Sequence, residues 1–464
     1  MVETIQGFVV AGPASGVGKT TITLALMAAL RGRGLAVQPF KCGPDFIDAG
    51  HHSCACGRPS RNLDGWMLSA DRNFDIFHRS AAGADVCIVE GVMGLFDGVD
   101  GKSEAGSTAE MAKLLGLPVV LVVDASSIAR SVAALVRGFE TFDPKVRISG
   151  VIFNRVAGAT HYGLLRDAVE SSCDAVPLGY LPQDRRIQIP ERYLGLFTAG
   201  EDLVPDSALA LLGELAESHI DLEKLLESAS SFTPASATAI SARSPDVRIG
   251  VARDRAFCFY YHDNLDALRA AGAEIVEFSP LDDPRLPEGV DALYFGGGYP
   301  ELYAAQLSAN SGMLSSLRRF ADEDGIVYAE CGGLMYLAEE IVSRDERAFA
   351  MAGILPIRVQ MTDRLVNFGY AEVCLTHDCL WGVAGTRARG HSFHCSTLTE
   401  AGPLQHAYRV SYTLSGMQEP EGFRIKNVLA SYVHLHFLSH PELAVTFVEN
   451  ARRVKQAPLS KAAK

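Results

Sequence analysis

FVVAGPASGVGKTT, residues 8–21, is the stretch that decides how the first half of this chain folds. A short apolar run ends in glycine, a loop rich in small residues follows, and helix-forming sequence begins at Lys19. Gly16 and Gly18 let backbone N–H groups wrap an anion, and the start of the helix adds its positive dipole end. Lys19 can then reach the β- and γ-phosphates of a nucleotide, and the Thr20 hydroxyl suits Mg²⁺. The loop is stretched by one residue: counting back from Gly18, the usual first glycine falls on Pro13, with Gly12 one step earlier.

Outward from this loop, VCIVE (86–90), VVLVVDAS (119–126) and ISGVIFN (148–154) are Val/Ile-rich runs that end in polar residues. Helical segments lie between such runs, for example TTITLALMAAL (20–30), closed by the glycines of RGRG (31–34). Strands buried on both faces and joined by helices predict a doubly wound parallel sheet, with ligands beyond the carboxyl ends of the strands. Glu90 ends one strand beside the loop and is the expected Mg²⁺ partner; Asp97 follows on a glycine-flanked turn. KCGPDFID (41–48) offers Lys41, Asp45 and Asp48, for which helix capping and solvation are the competing reading. Asn154 sits where nucleotide-binding sheets often read the base.

Residues 228–246, SASSFTPASATAISARSPD, lack periodicity and are rich in Ser, Ala, Thr and Pro, so they read as a linker. The expected division is 1–227, linker 228–246, a second α/β domain over 247–450, and a tail over 451–464. In the second domain GIVYAE (325–330) runs into Cys331 and then GGLMYL, a strand, a sharp turn and a helix. An elbow of this kind presents the sulfur beside the following N–H groups, Gly332 among them, and the helix start favours a thiolate. A cysteine nucleophile needs a base, and SYVHLHF (431–437) offers His434 and His436 on one face of a strand-like run. FGGG (295–298) ends another strand in glycines, and the N–H groups of Gly297 and Gly298 suit an oxyanion or the carboxylate end of glutamine.

Length and composition frame these motifs. A chain of 464 residues exceeds one ordinary core, and 48% hydrophobic with 21% charged residues is the balance of a soluble globular protein. No apolar run reaches the ~20 residues of a membrane span, and MVETIQGFVVAG lacks the basic start of a signal peptide, so a cytoplasmic address is expected. A formal net charge of -13 disfavours a nucleic-acid partner and means that arginines must be gathered locally for an anionic substrate. Ten cysteines form no dense framework; Cys54 and Cys56 beside His51 and His52 make half a metal site, so reduced thiols are expected.

SGVGKTT, QPFKCGPDFID, GRPSRNLDGWML, EGVMGLFDG, PERYLGL, FGGGYPE, AECGGLMYL, GHSFHCS and SYVHLHF occur in an order and spacing that resemble the cobyrinate a,c-diamide synthase family end to end. The resemblance includes its variant acting on metal-free hydrogenobyrinate, towards which GPDFIDAGHHSCACGRPS leans. It implies a dethiobiotin-synthetase-like nucleotide domain, a class I glutamine amidotransferase domain, and use of ATP, Mg²⁺ and glutamine to amidate two acetate side chains of a corrin ring. It maps the nucleophile to Cys331 and its histidine to His434. Many such glutaminases carry a carboxylate two residues after that histidine, where this chain has His436, so a dyad or an orienting group from elsewhere is expected. Asp48 and Asp97 become candidates for metal or substrate positioning, with Asp45 beside them. Arg58, Arg61 and Arg192 become candidates for the substrate's other carboxylates. A homodimer is compatible with this reading. The rival readings are cobyric acid synthase, a nickel-sirohydrochlorin diamide synthase, and a P-loop ATPase switch whose second domain only binds a partner.

Overall fold

The structure is a computed structural model that describes residues 4–187, 205–234, 243–400 and 402–456. The chain divides into two compact units, Met1–Thr238 and Ala239–Lys464.

The first unit is built on a sheet of strands β1 (Ile5–Ala11), β2 (Val37–Cys42), β3 (Arg61–Leu63), β4 (Val86–Glu90), β5 (Val119–Asp124), β6 (Ile148–Val156), β7 (Val176–Pro182) and β8 (Ser230–Phe232). Their order is β3-β2-β4-β1-β5-β6-β7, all parallel, with β8 antiparallel against β1. Ile5, Phe8, Val9 and Val10 are wholly buried, as expected of a central strand covered on both faces. Helix α1 (Lys19–Gly32) follows β1 and buries Ile22, Leu24, Leu26, Met27 and Leu30. Helix α2 (Phe46–Cys56) follows β2, with Asp45 as its N-cap and Gly57 in the left-handed region as its C-cap. Two sequence boundaries move. Ser230–Phe232 was expected in the linker but is a paired strand, because its residues satisfy the free side of β1. The closing helix runs Glu442–Gln456, so the expected tail begins inside it.

The second unit holds β9 (Val247–Ala252), β10 (Ala273–Phe278), β11 (Ala292–Phe295), β12 (Ile326–Glu330), β13 (Glu340–Val342), β14 (Ala348–Ala350), β15 (Ile357–Met361), β16 (Asn367–Leu375), β17 (Arg387–His394), β18 (Ser396–Glu400), β19 (Gln405–Tyr412), β20 (Gln418–Ile425), β21 (Val428–Ser431) and β22 (His434–Leu435). The main sheet runs β10-β9-β11-β12-β21-β20-β19-β16-β17-β22, parallel from β10 to β21 and antiparallel beyond, and a smaller sheet runs β14-β13-β15-β18. The parallel part is the α/β core; the antiparallel part carries β22 back beside the end of β12. Among the described residues no helix is long and apolar enough to cross a membrane.

Candidate active sites

In the first unit the loop between β1 and α1 adopts the geometry that its glycines permit. Gly16 (φ 79°) and Gly18 (φ 95°) are left-handed, and a Cβ on Gly18 would stand 1.9 Å from the Asn154 side-chain nitrogen. Asn154 donates from that nitrogen to the Val17 carbonyl at 3.0 Å. Its amide therefore pins the loop from the end of β6, which differs from the expected base-reading role. Lys19 is buried and donates to the carbonyls of Ala14 at 2.9 Å and Met93 at 2.6 Å, clasping the loop to the turn after β4. Burial and the neighbouring Lys41 lower its pKa, while Glu90, Asp48 and Asp97 pull the other way.

Behind Lys19 lies a buried polar network. Thr20 donates to Glu90 Oε1 at 2.9 Å and to Asp48 Oδ1 at 3.4 Å. Lys41 Nζ bridges the same acids, 2.5 Å from Asp48 Oδ2 and 2.8 Å from Glu90 Oε1. His52 Nε2 donates to Glu90 Oε2 at 2.7 Å. Burial acts to raise the Glu90 pKa, but Lys41 and His52 hold it well below the usual carboxylate range. Asp48 is pushed up by burial and by Asp45, with Lys41 opposing. One hydroxyl and two carboxylates thus converge beside the phosphate loop, a set of hard oxygen donors that fits Mg²⁺ once phosphate oxygens and water complete it.

The remaining expected residues divide. Asp97 Oδ2 accepts from Gly94 N–H at 2.8 Å and shapes the turn after β4. Asp45 Oδ1 accepts from the N–H groups of Ile47 and Asp48, so helix capping, not substrate positioning, accounts for it. Arg58 also differs from expectation. It binds Gln38 Oε1 and the carbonyls of Ser80, Ala82 and Gly83, bracing the end of helix Ala70–Ala81 instead of offering its guanidinium to a substrate. Arg61 stands half-buried on the edge strand β3, and Arg192 lies outside the described residues. All ten cysteines are free. Among the described residues no three His, Cys, Asp or Glu side chains make a self-sufficient metal cage, Cys54, Cys56, His51 and His52 included.

In the second unit β12 ends at Glu330, and Cys331 turns the chain with φ 47° into the short helix Gly332–Leu337. A non-glycine residue at such an angle is strained, and neighbours hold it there: Cys331 N–H donates to the Ser431 carbonyl at 2.7 Å, and Gly333 N–H to the Gly296 carbonyl at 3.0 Å. His434, on β22, faces the sulfur. A Cβ on Gly297 would fall 2.3 Å from His434 Cε1, so glycine there makes room for the ring. Gly297 N–H itself donates to the Phe259 carbonyl at 3.2 Å, which removes it from the expected oxyanion donors. A Cβ on Gly332 would lie 3.1 Å from Gly298 N, so the backbones of these two glycines approach closely.

His434 is almost wholly buried. Burial alone would depress its pKa, but the Cys331 sulfur and Glu330 raise it to about 9. His391 stacks on it, ring centroids 4.8 Å apart, and bonds the Tyr261 hydroxyl through Nδ1 at 2.7 Å. Burial and the neighbouring histidines hold His391 well below its ordinary value. His391 and Glu330 were not among the expected site residues. Glu330 shares the signal that marks Glu90, an acid closing an apolar strand, whereas only the fold brings β17 and its His391 beside β22.

Residues 8–196 match the CobQ/CobB/MinD/ParA nucleotide binding domain, and residues 248–442 the CobB/CobQ-like glutamine amidotransferase domain. Over 450 residues the chain is 47% identical to a cobyrinate a,c-diamide synthase of Syntrophotalea carbinolica, spanning 96% of this chain and 98% of the relative. It is 42% identical over 457 residues to one of Salmonella typhimurium, spanning 97% and 99%. A crystal structure of a glutamine amidotransferase overlaps 44% of this chain and 98% of its own at 21% identity, with a TM-score of 0.32.

Proposed function

The chain belongs to the cobyrinate a,c-diamide synthase family, a group of glutamine-hydrolysing amidoligases of cobalamin biosynthesis, and from that membership we propose how its own residues divide the reaction. The nucleotide is ATP, bound by the loop of Gly16, Gly18, Lys19 and Thr20. Thr20, Glu90 and Asp48 would hold Mg²⁺, which would neutralise phosphate charge. Lys19 steadies the γ-phosphate while a substrate carboxylate oxygen attacks its phosphorus and ADP leaves, giving an acyl phosphate. Arg61 pairs with a carboxylate of the ring, and Asp97 positions the substrate through the turn that it shapes after β4.

Cys331, as a thiolate paired with the His434 imidazolium, attacks the carboxamide carbon of glutamine. Gly298 and Gly332 N–H groups receive the oxyanion, and His434 gives its proton to the departing ammonia. Water then cleaves the thioester, returning glutamate and the thiol. Ammonia displaces phosphate from the acyl phosphate and loses a proton, leaving the amide. The substrate is cobyrinate, as in the relatives' name, with hydrogenobyrinate the metal-free alternative. The setting is the cytoplasm, where ATP and glutamine are at hand, and homodimer assembly belongs to the same reading.

The observation that carries this reading is that one chain presents Lys19 and Thr20 against Glu90, and Cys331 against His434. An ATPase switch would require the first set and not the second. Isotope transfer tests the acyl phosphate. Substrate labelled with ¹⁸O in its carboxylates is expected to deliver one labelled oxygen to inorganic phosphate per amide formed; unlabelled phosphate would eliminate the intermediate.

A further inference from the structure

The residue two beyond His434 does not orient it. His436 is wholly buried, neither ring nitrogen has a hydrogen-bond partner among the described residues, and its ring packs on Tyr261 at 4.5 Å. With burial depressing its pKa to about 3, it is neutral. We propose that Glu330, the residue immediately before the nucleophile, is the positioning carboxylate of His434. This rests on the reading of Cys331 and His434 as nucleophile and base.

Glu330 Oε2 lies 3.8 Å from His434 Nδ1, with both side chains almost completely buried. Its carboxylate is fixed by three donors: the Tyr294 hydroxyl to Oε2 at 3.0 Å, the Tyr328 hydroxyl to Oε1 at 2.8 Å, and Leu435 N–H to Oε1 at 3.1 Å. Leu435 is the next residue after His434, so the same carboxylate grips the β22 backbone and faces the ring. No Lys or Arg pairs with Glu330 among the described residues, which leaves the imidazolium as its counter-charge. A buried carboxylate is tolerated when paired or well hydrogen-bonded, and this one is both. With Nδ1 turned to Glu330, Nε2 is left for the sulfur. A separation of 3.8 Å is longer than a hydrogen bond, and catalytic contacts of this kind shorten when substrate binds.

The other titratable groups around His434 do not duplicate the role. His391, stacked on it, is bonded to Tyr261, and His394 is held down to about 4 by burial while it stacks on Tyr432. Both are neutral, so Glu330 and the Cys331 sulfur are the groups that favour a charged His434 ring. Removing the Glu330 charge destabilises the imidazolium. The thiolate–imidazolium pair then loses its proton at lower pH, and the alkaline limb of glutamine hydrolysis moves to lower pH.

The experiment measures glutamate release against pH for the full chain and for Glu330→Gln, Glu330→Asp, Cys331→Ala and His434→Ala. The rate of covalent labelling by 6-diazo-5-oxo-L-norleucine gives a second, single-turnover readout. Glu330→Gln keeps the shape and the acceptor for Tyr328. It is expected to lower kcat on the order of 10²-fold with KM little changed, and to shift the alkaline limb downward in both readouts; Glu330→Asp, with its carboxylate drawn back by one methylene, recovers part of the rate and part of the limb. A loss of rate with an unmoved limb would mark a merely structural role and overturn the proposal, as would an unchanged rate. If Glu330→Gln does not fold, Glu330→Asp decides: an alkaline limb displaced below that of the wild type supports the proposal, and a wild-type limb overturns it. Hydrolysis surviving in Cys331→Ala or His434→Ala would instead sink the underlying pair. Both dead beside a normal Glu330→Gln would sink the present proposal alone.

Discussion

Lys41 carries more of the nucleotide site than its place in a loop-flanking motif suggests. It lies next to the last residue of β2, almost wholly buried, and its ammonium reaches Asp48, Glu90 and the Gly91 carbonyl. Burial works against its charge, yet Asp48 and Glu90 raise its pKa well above the ordinary lysine value. Two carboxylates beside a phosphate site would repel each other and the nucleotide; Lys41 neutralises part of that charge. Lys41→Met would leave them uncompensated, a change that costs about 3–5 kcal/mol in a buried cluster. The expected outcome is a lower midpoint for the first unfolding transition in urea and weaker nucleotide binding, both measurable on the purified chain. An unchanged midpoint would mean that the acids are held by Thr20 and His52 alone. At this scale the sequence was only partly legible. Lys41 and Asp48 stood out by motif, but that Asp45 caps α2 and that Arg58 braces a helix end depend on where neighbouring backbone carbonyls and N–H groups fall.

Two strand-to-helix turns do the positioning, and each depends on glycine for a reason of space. Gly18 begins α1 at φ 95° with Asn154 against it, and Gly297 admits the His434 ring. Gly18→Ala combines a disfavoured backbone angle with a collision and is expected to abolish nucleotide binding, as read by calorimetric titration, while glutamine hydrolysis persists. Gly297→Ala drives a methyl into the imidazole and is expected to lower glutamine hydrolysis on the order of 10²-fold, with nucleotide binding intact. If either variant disabled the opposite activity instead, the division of labour would be wrong. These turns were legible in the sequence because glycine patterns mark them. The glycines proposed as oxyanion donors were less so: that Gly297 N–H is taken by Phe259 while Gly298 and Gly332 lie together follows from the β11 turn and the elbow closing on each other, which no local pattern encodes.

Across the whole molecule, each unit is built on its own parallel core, with Thr20 against Glu90 in the first and Cys331 beside His434 in the second. The parallel order of the first sheet and the α/β start of the second were readable from Val/Ile runs and intervening helices. The long antiparallel extension through β16, β17, β19 and β20 was not, since its strands bury one face and alternate too weakly to be counted. Yet that extension pairs β17 with β22, and so places His434 beside Cys331. In the proposed reaction one unit activates a carboxylate and the other supplies ammonia to it. The most direct measurement is amide formation on cobyrinate and on hydrogenobyrinate, with Mg·ATP and either glutamine or an ammonium salt, for the wild type and Cys331→Ala. The expected result is two added amides from either nitrogen source in the wild type, and from ammonium alone in the variant. Product from glutamine in Cys331→Ala, or no rescue by ammonium, would contradict it.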